Sequence, residues 1–291
     1  MDTFIIKNTN QTYIIRKNNI IEKYKPYSKI SPKKEYDILM SLNHPNIVKC
    51  LDYNEEQSVI KLEYIKGPNL HVYLEKNYLT EMEIFNIFSQ VANAVYYCHS
   101  NNITHGDIKL ENCVIDNELS VKLIDFEFAN KFVDNNVSVR KVFGTPIYLS
   151  PELAKIINKN LHTDDIEESE YKCKPVDIWS LGIMLYELVF RCHPFSYSCH
   201  SMEMLVNSII YEEISFWKNN ENKKLKKLLK NMLQHDINKR YTIEQVINSS
   251  WFKKFRLIKK LPSVFTKKYN RYIIINDDLY KSYNNKSEIP D

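Results

Sequence analysis

The middle of the sequence contains polar side chains whose types and spacing suit chemistry on phosphate groups. The segment HGDIKLEN contains Asp107, Lys109 two residues later and Asn112 three residues beyond that. About a dozen residues further on, an apolar run ends in Asp125. Asn and Asp oxygens can bind Mg²⁺, a lysine can steady a phosphate, and a second carboxylate can accept a hydroxyl proton. If the fold brings these groups together, they predict phosphoryl transfer, which depends mostly on positioning and charge stabilisation.

The elements that would position these groups begin with a strand-rich segment. Residues 3–25 alternate short β-branched runs with Asn-rich breaks, which is typical of a strand meander. Ser31-Pro32 places a capping residue before a proline, which predicts a helix over 31–42. Two further strands are predicted at 47–53 and 58–64.

Beyond Thr80 the periodicity is helical. Apolar residues recur at steps of three and four, as one buried helix face requires, and further helices are predicted near 177–190, 202–211, 223–233 and 242–248. An acidic cluster at 164–170 and a basic cluster at 215–230 also stand out. We expect both to be solvated surface.

The composition is that of an ordinary globular protein. The chain has 291 residues, 44% of them hydrophobic and 26% charged, which excludes disordered, collagen-like and disulfide-scaffold classes. The net charge of +4 is too small to argue for nucleic acid or a membrane as partner. The six cysteines form no CxxC pair, and the start, MDTFIIKNTN, is unlike a signal peptide. We therefore expect reduced thiols in an intracellular, cytoplasmic protein, in the host cytoplasm if the chain is viral.

The motifs resemble those of eukaryotic-type protein kinases. HGDIKLEN is similar to their catalytic loop, usually HRDxKxxN, and Asp125-Phe126-Glu127 is similar to their DFG motif. Other segments follow in family order. Residues 35–48 resemble the regulatory helix with the next strand, and residues 144–152 resemble the end of the activation segment. Residues 177–182 resemble the buried anchoring helix, and residues 236–252 resemble the closing helices. The resemblance covers residues 5–252, and Lys109 with the Gly-Thr-Pro-x-Tyr stretch is typical of the Ser/Thr class.

The resemblance implies a role for each matching residue. Asp107 would orient the substrate hydroxyl and take its proton, Lys109 would neutralise the moving phosphoryl group, and Thr145 would hydrogen-bond toward both. Asn112 and Asp125 would hold Mg²⁺. The ATP-binding residues implied in the same way are Lys23, Glu35, Ile15, Ile21, Glu63, Tyr64, Ile65 and Val114, with Leu62 as gatekeeper. The resemblance also makes Glu152–Arg240 a structural ion pair and Asp177 an anchor.

The implied fold class is α+β, in the two-lobed protein kinase architecture. We expect a small β-rich N-lobe with one helix at residues 1–66, a larger and mainly helical C-lobe at 67–256, and a C-terminal tail at 257–291. The implied cofactors are ATP and Mg²⁺. The expected partner is a protein substrate with a Ser or Thr acceptor. The acidic cluster at 164–170 lies close to where peptide substrates dock in this family and could select basic substrates. We expect a monomer that binds neither nucleic acid nor membrane.

Two departures from the family pattern concern ATP binding. The glycine-rich loop would fall at residues 8–13, which contain no glycine, although Asn8 and Asn10 tolerate left-handed backbone and can replace part of its role. The phosphate-binding lysine is best matched by Lys23, with Lys25 as the alternative. Choosing Lys23 would point Glu22 at the lobe interior.

Two further departures concern activation. Gly106 stands where the family has the HRD arginine, and Glu127 replaces the glycine of DFG, near the expected metal. Lys141 occupies the place where the activating phosphorylation is commonest, with Ser138 as another candidate site. The paired loss of arginine and phosphorylation site predicts a kinase that needs no activation-segment phosphorylation.

The missing glycines leave a rival hypothesis, that of a pseudokinase acting as a binding or scaffold module. The quartet of Asp107, Lys109, Asn112 and Asp125 favours the enzyme, because a scaffold has no physical need of it.

Overall fold

A computed structural model describes residues 3–9, 12–17, 19–24, 32–132, 136–139, 145–161, 169–195, 201–214 and 222–259 of the chain. The N-terminal part is a β-sheet with one helix, and the rest is mainly helical. This is the α+β, two-lobed architecture that the sequence predicts.

The N-terminal sheet has five antiparallel strands in the order β1-β2-β3-β5-β4. Its strands are β1 (Thr3–Thr9), β2 (Thr12–Lys17), β3 (Ile20–Tyr24), β4 (Cys50–Asn54) and β5 (Val59–Glu63). Helix α1 (Pro32–Met40) connects β3 to β4, and its buried face contributes Glu35, Ile38 and Leu39. The predicted meander, helix and second strand pair are all present.

The predicted strand over 47–53 begins three residues too early. The Val48 amide donates to the Leu123 carbonyl (3.0 Å), and the Leu123 amide donates to the Asn46 carbonyl (2.8 Å). Ile47 therefore bridges to the helical part of the molecule instead of extending β4, which starts at Cys50. These bonds join the sheet region to the strand that precedes Asp125.

The helices of the described residues after α1 lie in the C-terminal part. They are α2 (Leu70–Lys76), α3 (Glu81–Ser100), α4 (Pro151–Leu161), α5 (Cys173–Phe190), α6 (Met202–Tyr211), α7 (Lys223–Met232), α8 (Ile243–Ile247) and α9 (Ser250–Lys259). A capping box between Thr80 and Glu83 starts α3. Helix α5 starts four residues before the predicted position, and α9 continues past the predicted lobe boundary at residue 256.

Short strand pairs lie among these helices. They are β6 (Ile103–Thr104) with β9 (Asn130–Lys131), β7 (Cys113–Ile115) with β8 (Val121–Leu123), and β10 (Asn136–Val139) with β11 (Ser169–Lys172). The β7–β8 hairpin is the one that matters most for the site, because Asn112 directly precedes β7 and Asp125 follows shortly after β8. Sequence reasoning predicted none of these pairs.

Helix α5 is the centre of the C-terminal part. Most of its side chains are buried, including Trp179 at 0% exposure. Arg240 donates from both Nη atoms to the Glu152 carboxylate (2.7 and 2.8 Å), so the predicted structural ion pair is confirmed.

None of the helices in the described part of the chain combines the length and the apolar character that crossing a membrane requires. Five of the six cysteines are described and carry free thiols, four of them buried.

Glu187 of α5 forms a polar pair with Tyr148 beside the segment HGDIKLEN (residues 105–112), which we call the catalytic-loop segment. The Tyr148 hydroxyl donates to the Glu187 carboxyl and accepts the Leu110 amide (3.3 Å). Removal from water, assisted by the nearby Glu111 carboxylate and opposed by the Tyr148 hydrogen bond, raises the pKa of Glu187 to about 8. The folded protein therefore keeps this carboxyl largely protonated at neutral pH.

Protonation of Glu187 makes stability depend on pH. Because its pKa is higher in the folded than in the unfolded chain, its contribution to the free energy of unfolding falls as pH rises from about 5 to 8. Glu187→Gln stays neutral and should lose this part of the dependence, so its stability relative to wild type should increase over that range. Urea unfolding at several pH values measures the difference. Glu203→Gln, at an exposed position on α6, is the control, and a pH-independent difference for Glu187→Gln would contradict the prediction.

Candidate active site

A cleft of about 710 Å³ lies between the N-terminal sheet and the C-terminal part. Its apolar walls include Ile14, Ile21, Val48, Leu62, Val72, Val114 and Ile124. Its polar lining includes Lys23, Lys109, Glu111, Asn112, Asp125 and Thr145. The volume is that of a small-molecule site, and apolar walls with a polar end suit a ligand that has a flat base and a charged group.

Lys23 lies at the polar end as a buried cation between two carboxylates. Its Nζ is 2.9 Å from Glu35 Oε1 and 2.5 Å from Asp125 Oδ1, and the lysine is only 3% exposed. Burial alone lowers the pKa of Lys23, but the two carboxylates outweigh it and raise the pKa above its ordinary value. The amine therefore stays charged. The alternative, Lys25, lies outside the described residues.

The strand register determines which residues share the cleft face with Lys23. Ile14 is paired directly with Lys23 across β2 and β3, whereas Ile15 is paired with Glu22. Since successive side chains alternate between the two faces of a sheet, Ile14 and Ile21 lie on the cleft face and Ile15 on the outer face. The expectation for Ile15 is therefore wrong, and Ile14 takes its place in the cleft. The same alternation places Glu22 on the outer face, away from the lobe interior. Its carboxylate there accepts a hydrogen bond from the Tyr24 hydroxyl (3.0 Å).

Asp125 is held in a strained backbone conformation. Its φ is +63°, a left-handed value that costs a non-glycine residue about 1–3 kcal/mol. The fully buried Phe126 packs edge-on against the His105 ring, with centroids 4.6 Å apart. The Ile124 amide donates to the Asn112 carbonyl (2.9 Å), and the Ile124 carbonyl is 3.0 Å from His105 Nε2. These contacts on both sides fix Asp125 beside Lys23 and Asn112.

Asp107 is the centre of a second hydrogen-bond network. Its Oδ1 accepts the Thr145 amide (3.1 Å) and hydroxyl (2.9 Å), and its Oδ2 accepts Lys109 Nζ (2.6 Å) and Asn112 Nδ2 (3.0 Å). Lys109 Nζ also donates to Thr145 Oγ1 (2.5 Å). The predicted contacts of Thr145 with Asp107 and Lys109 are confirmed. Four donors hold a carboxylate that is 6% exposed, so its position at the cleft is well defined.

The catalytic-loop segment is fastened to α5 through Asp177. The Asp177 carboxylate accepts the amides of His105 and Gly106, each at 2.9 Å, and lies 2.9 Å from His99 Nε2. The predicted anchor is thereby confirmed. Gly106 has φ +79°, and a Cβ at this position would lie 2.7 Å from the Phe128 carbonyl oxygen. The backbone therefore accepts glycine here and disfavours any side chain.

The strip joining the two parts of the molecule also lines the cleft. Glu63, Tyr64 and Ile65 all lie there, as predicted. Glu63 Oε1 accepts Lys122 Nζ (2.7 Å) and the Lys49 amide (2.8 Å), so this side-chain oxygen is already engaged within the protein. Among the described residues, the Ile65 amide has no backbone partner, which leaves it as a donor for a ligand. A Cβ at Gly67 would lie 1.9 Å from a carbonyl oxygen of β7, so only glycine fits this close approach.

Sequence reasoning missed several wall residues. Val48, Val72 and Ile124 line the cleft together with Ile14. Ile14 could have been found from strand periodicity, and Ile124 from its place next to Asp125. Val72 offered no signal, because α2 was not among the predicted helices.

Some predicted features do not contribute to the described site. Glu127 is not part of the cleft lining. Asn10, Lys141 and Gly144 lie outside the described residues, as does most of the acidic cluster.

Comparisons with known proteins agree with the geometry. The family model for the protein kinase domain matches residues 3–252. NUAK family SNF1-like kinase 1 of Homo sapiens is 31% identical over 223 residues, which is 75% of this chain and 31% of the relative. Calcium-dependent protein kinase 5 of Plasmodium falciparum is 32% identical over 260 residues, which is 87% of this chain and 42% of the relative. NUAK family SNF1-like kinase 2 of Homo sapiens is 34% identical over 180 residues, which is 61% of this chain and 26% of the relative.

The chain spans less than half the length of these relatives. The family match extends over both the N-terminal sheet and the helices that carry the site. By this match, and by the residues gathered in its cleft, the chain belongs to the protein kinase family.

Proposed function

We propose that the chain is a Ser/Thr protein kinase that transfers the γ-phosphoryl group of ATP to protein hydroxyls. The observation that carries this proposal is the convergence of Lys23, Asp107, Lys109, Asn112 and Asp125 around one cleft. These are the positioning and charge-stabilising groups that phosphoryl transfer requires. A scaffold that only binds partners has no use for a buried cation fastened beside an oriented carboxylate.

The cleft fits ATP in both shape and chemistry. Its apolar walls can take a purine base, the Ile65 amide can donate to the base edge, and Lys23 can bind phosphate oxygens. Bound ATP supplies the phosphoryl group to be transferred.

Mg²⁺ fits the carboxylate and amide oxygens next to Lys23. Asn112 Nδ2 donates to both the backbone and the side chain of Asp107, so its side-chain oxygen is the atom it can offer to a cation. Asp125 supplies carboxylate oxygens nearby. Among the described residues, no group of three or more His, Cys, Asp and Glu side chains forms a metal site by itself. A hard cation would therefore share its coordination with phosphate oxygens and water, as Mg²⁺ commonly does.

The chain's own residues have distinct tasks in the transfer. Asp107 would orient the acceptor hydroxyl and accept its proton, since its carboxylate is the base fixed closest to the lysine of the same loop. Lys109 would offset the charge that develops on the transferred group. Thr145 links the two by hydrogen bonds and so helps to set their separation. The resemblance of Lys109 and the Gly-Thr-Pro-x-Tyr stretch to the Ser/Thr class supports a Ser or Thr acceptor.

We propose a monomeric, cytoplasmic enzyme that acts on proteins and not on nucleic acid or membranes. A preference for basic substrates would depend on the acidic cluster at 164–170.

Two conservative substitutions test the proposed catalysis. Asp107→Asn should lower the rate of phosphate transfer to a basic protein substrate by about 100-fold or more, with ATP affinity nearly unchanged, because only the base is lost. Asp125→Asn should lower both the rate and the affinity for ATP–Mg²⁺. Transfer of radiolabelled phosphate and calorimetric titration with nucleotide provide the two measurements.

Asp52→Asn is the matched control, since Asp52 is an exposed carboxylate that pairs with Lys61 on the sheet. It should behave as wild type. Equal transfer by wild type and both site variants would indicate a contaminating kinase and contradict the proposal. Nucleotide binding without transfer by wild type would instead favour the scaffold alternative.

We also propose that activity does not require phosphorylation of the segment between Asp125 and Glu152. Gly106 offers no cation to grip a phosphate there, and the 2.7 Å contact that a Cβ would make disfavours any side chain at this position. Lys34 Nζ donates to Asn130 Oδ1 (2.6 Å), which ties α1 to the start of the segment with no phosphate involved.

A strand pairing provides a second restraint on the same segment. Strand β10 pairs antiparallel with β11, with Asn136 opposite Lys172 and Val139 opposite Ser169. β11 runs directly into α5, the helix whose Asp177 holds the catalytic loop. Backbone hydrogen bonds can thus hold the segment against the anchoring helix in place of a phosphate–arginine contact.

Phosphatase treatment tests this independence. Protein freed of phosphate, as verified by intact mass, should retain the kcat of untreated protein, and Ser138→Ala should do the same. The phosphatase is removed before the assay so that it cannot consume product. Loss of activity on dephosphorylation would contradict the proposal while leaving phosphoryl transfer by the untreated protein established.

A further inference from the structure

A second pocket lies in the C-terminal part, and it shares no lining residue with the cleft. Its volume is about 290 Å³. It is lined by Lys224, Lys227 and Leu228 of α7, by Tyr241, by Gln245 of α8, and by Asn248, Ser249 and Ser250 at the start of α9. We call it the α7–α9 pocket.

The α7–α9 pocket is positively charged. Among the described residues that line it, Lys224 and Lys227 are the only ionisable side chains besides Tyr241, and none is a carboxylate. Helix α7 has five lysines and no acidic residue. The two lysines that line the pocket belong to this helix. The local charge is therefore positive, which favours an anionic ligand.

The uncharged lining groups include hydrogen-bond donors. Gln245 Oε1 accepts the Thr242 amide (2.8 Å), which leaves the Gln245 amide nitrogen as the donor it can offer. Ser249 Oγ accepts the Phe252 amide (3.4 Å), so its hydroxyl hydrogen is available to a ligand. Together with the lysines, these groups form a set of donors that complements the acceptor oxygens of a phosphate.

The size and walls of the pocket narrow the choice of anion. Its volume is less than half that of the 710 Å³ cleft, so it suits a group smaller than a nucleotide. The half-buried Tyr241 ring provides apolar surface beside the two lysines. Leu228 also lines the pocket but is only 1% exposed. Free phosphate would leave this surface uncovered, whereas a phosphorylated side chain within a peptide would contact it.

We propose that the α7–α9 pocket binds the phosphate of a phosphoserine or phosphothreonine in a protein segment. Lys224 and Lys227 pair with the phosphate oxygens, and a neighbouring side chain of the segment packs on the Tyr241 ring. This binding does not depend on phosphoryl transfer at the cleft, so it is tested in the Asp125→Asn background, where modification of the peptide is suppressed.

The test compares two double variants that change the net charge equally. Lys224→Gln/Lys227→Gln removes the lysines of the pocket, and Lys223→Gln/Lys226→Gln removes two lysines of the same helix outside its lining. The probe is a short peptide with one phosphoserine flanked by leucines, titrated by calorimetry. The pocket variant should lose about tenfold or more in affinity, as expected for charge-assisted hydrogen bonds, and the control less than about threefold.

Three further titrations decide between sources of the anion. The unphosphorylated peptide and inorganic phosphate should each bind at least about tenfold more weakly than the phosphopeptide. The affinity for vesicles containing phosphatidylserine should be the same with and without Lys224 and Lys227. Equal losses in the two double variants, equal binding of inorganic phosphate, or a vesicle affinity that depends on the pocket lysines would each overturn the proposal. Thermal melting and adenosine binding verify that every variant is folded.

Discussion

The structure depends on the buried ammonium group of Lys23. Its charge is tolerable in the interior only because the carboxylates of Glu35 and Asp125 lie within 2.9 and 2.5 Å. These three residues come from β3, from α1 and from the turn after β8, which are far apart in sequence. Removing one partner of such a buried set typically costs about 3–5 kcal/mol, so the ion pairs favour one arrangement of the sheet, the helix and the Asp125 turn. That arrangement is also the one that opens a cleft with charged groups at one end.

The C-terminal part fixes the other half of the site in a similar way. The catalytic-loop segment has little regular structure of its own, so its backbone amides need partners elsewhere. Asp177, inside the buried helix α5, accepts two of them, and Thr145 reaches back to Asp107 from the other side. The Asp107 carboxylate is thus positioned by a helix core and by a chain segment that follows it in sequence. Proposed catalysis and observed packing rest on the same hydrogen bonds.

The sequence predicted much of this site because its chemistry is concentrated in short motifs. Asp107, Lys109, Asn112 and Asp125 were found from residue type and spacing, and Lys23 from the resemblance to the kinase family. Strand-level detail was less accurate. Ile15 was expected at the site where Ile14 lies. A shift of one residue exchanges the two faces of a sheet, and apolar residues occupy both positions.

Features set by long-range pairing could not be predicted. Ile47 forms a bridge with Leu123 through the backbone hydrogen bonds of Asn46 and Val48 and does not extend β4, although its local sequence is typical of a strand. The β10–β11 pair joins segments about thirty residues apart, and neither shows strand periodicity strong enough to identify it. The absence of a side chain at Gly106 was visible in the sequence, but its cause, the nearby Phe128 carbonyl, lies in the folded backbone.

The role of Lys23 in binding phosphate is tested by comparing the affinities of Lys23→Met for ATP–Mg²⁺ and for adenosine. Lys23 should contact phosphate and not the base, so the variant should bind ATP–Mg²⁺ at least about tenfold more weakly and adenosine as well as wild type does. Lys61→Met, on the outer face of the same sheet, should leave both affinities unchanged. An equal loss of affinity for both ligands, or no loss for either, would contradict the assignment of Lys23 as the phosphate-binding group.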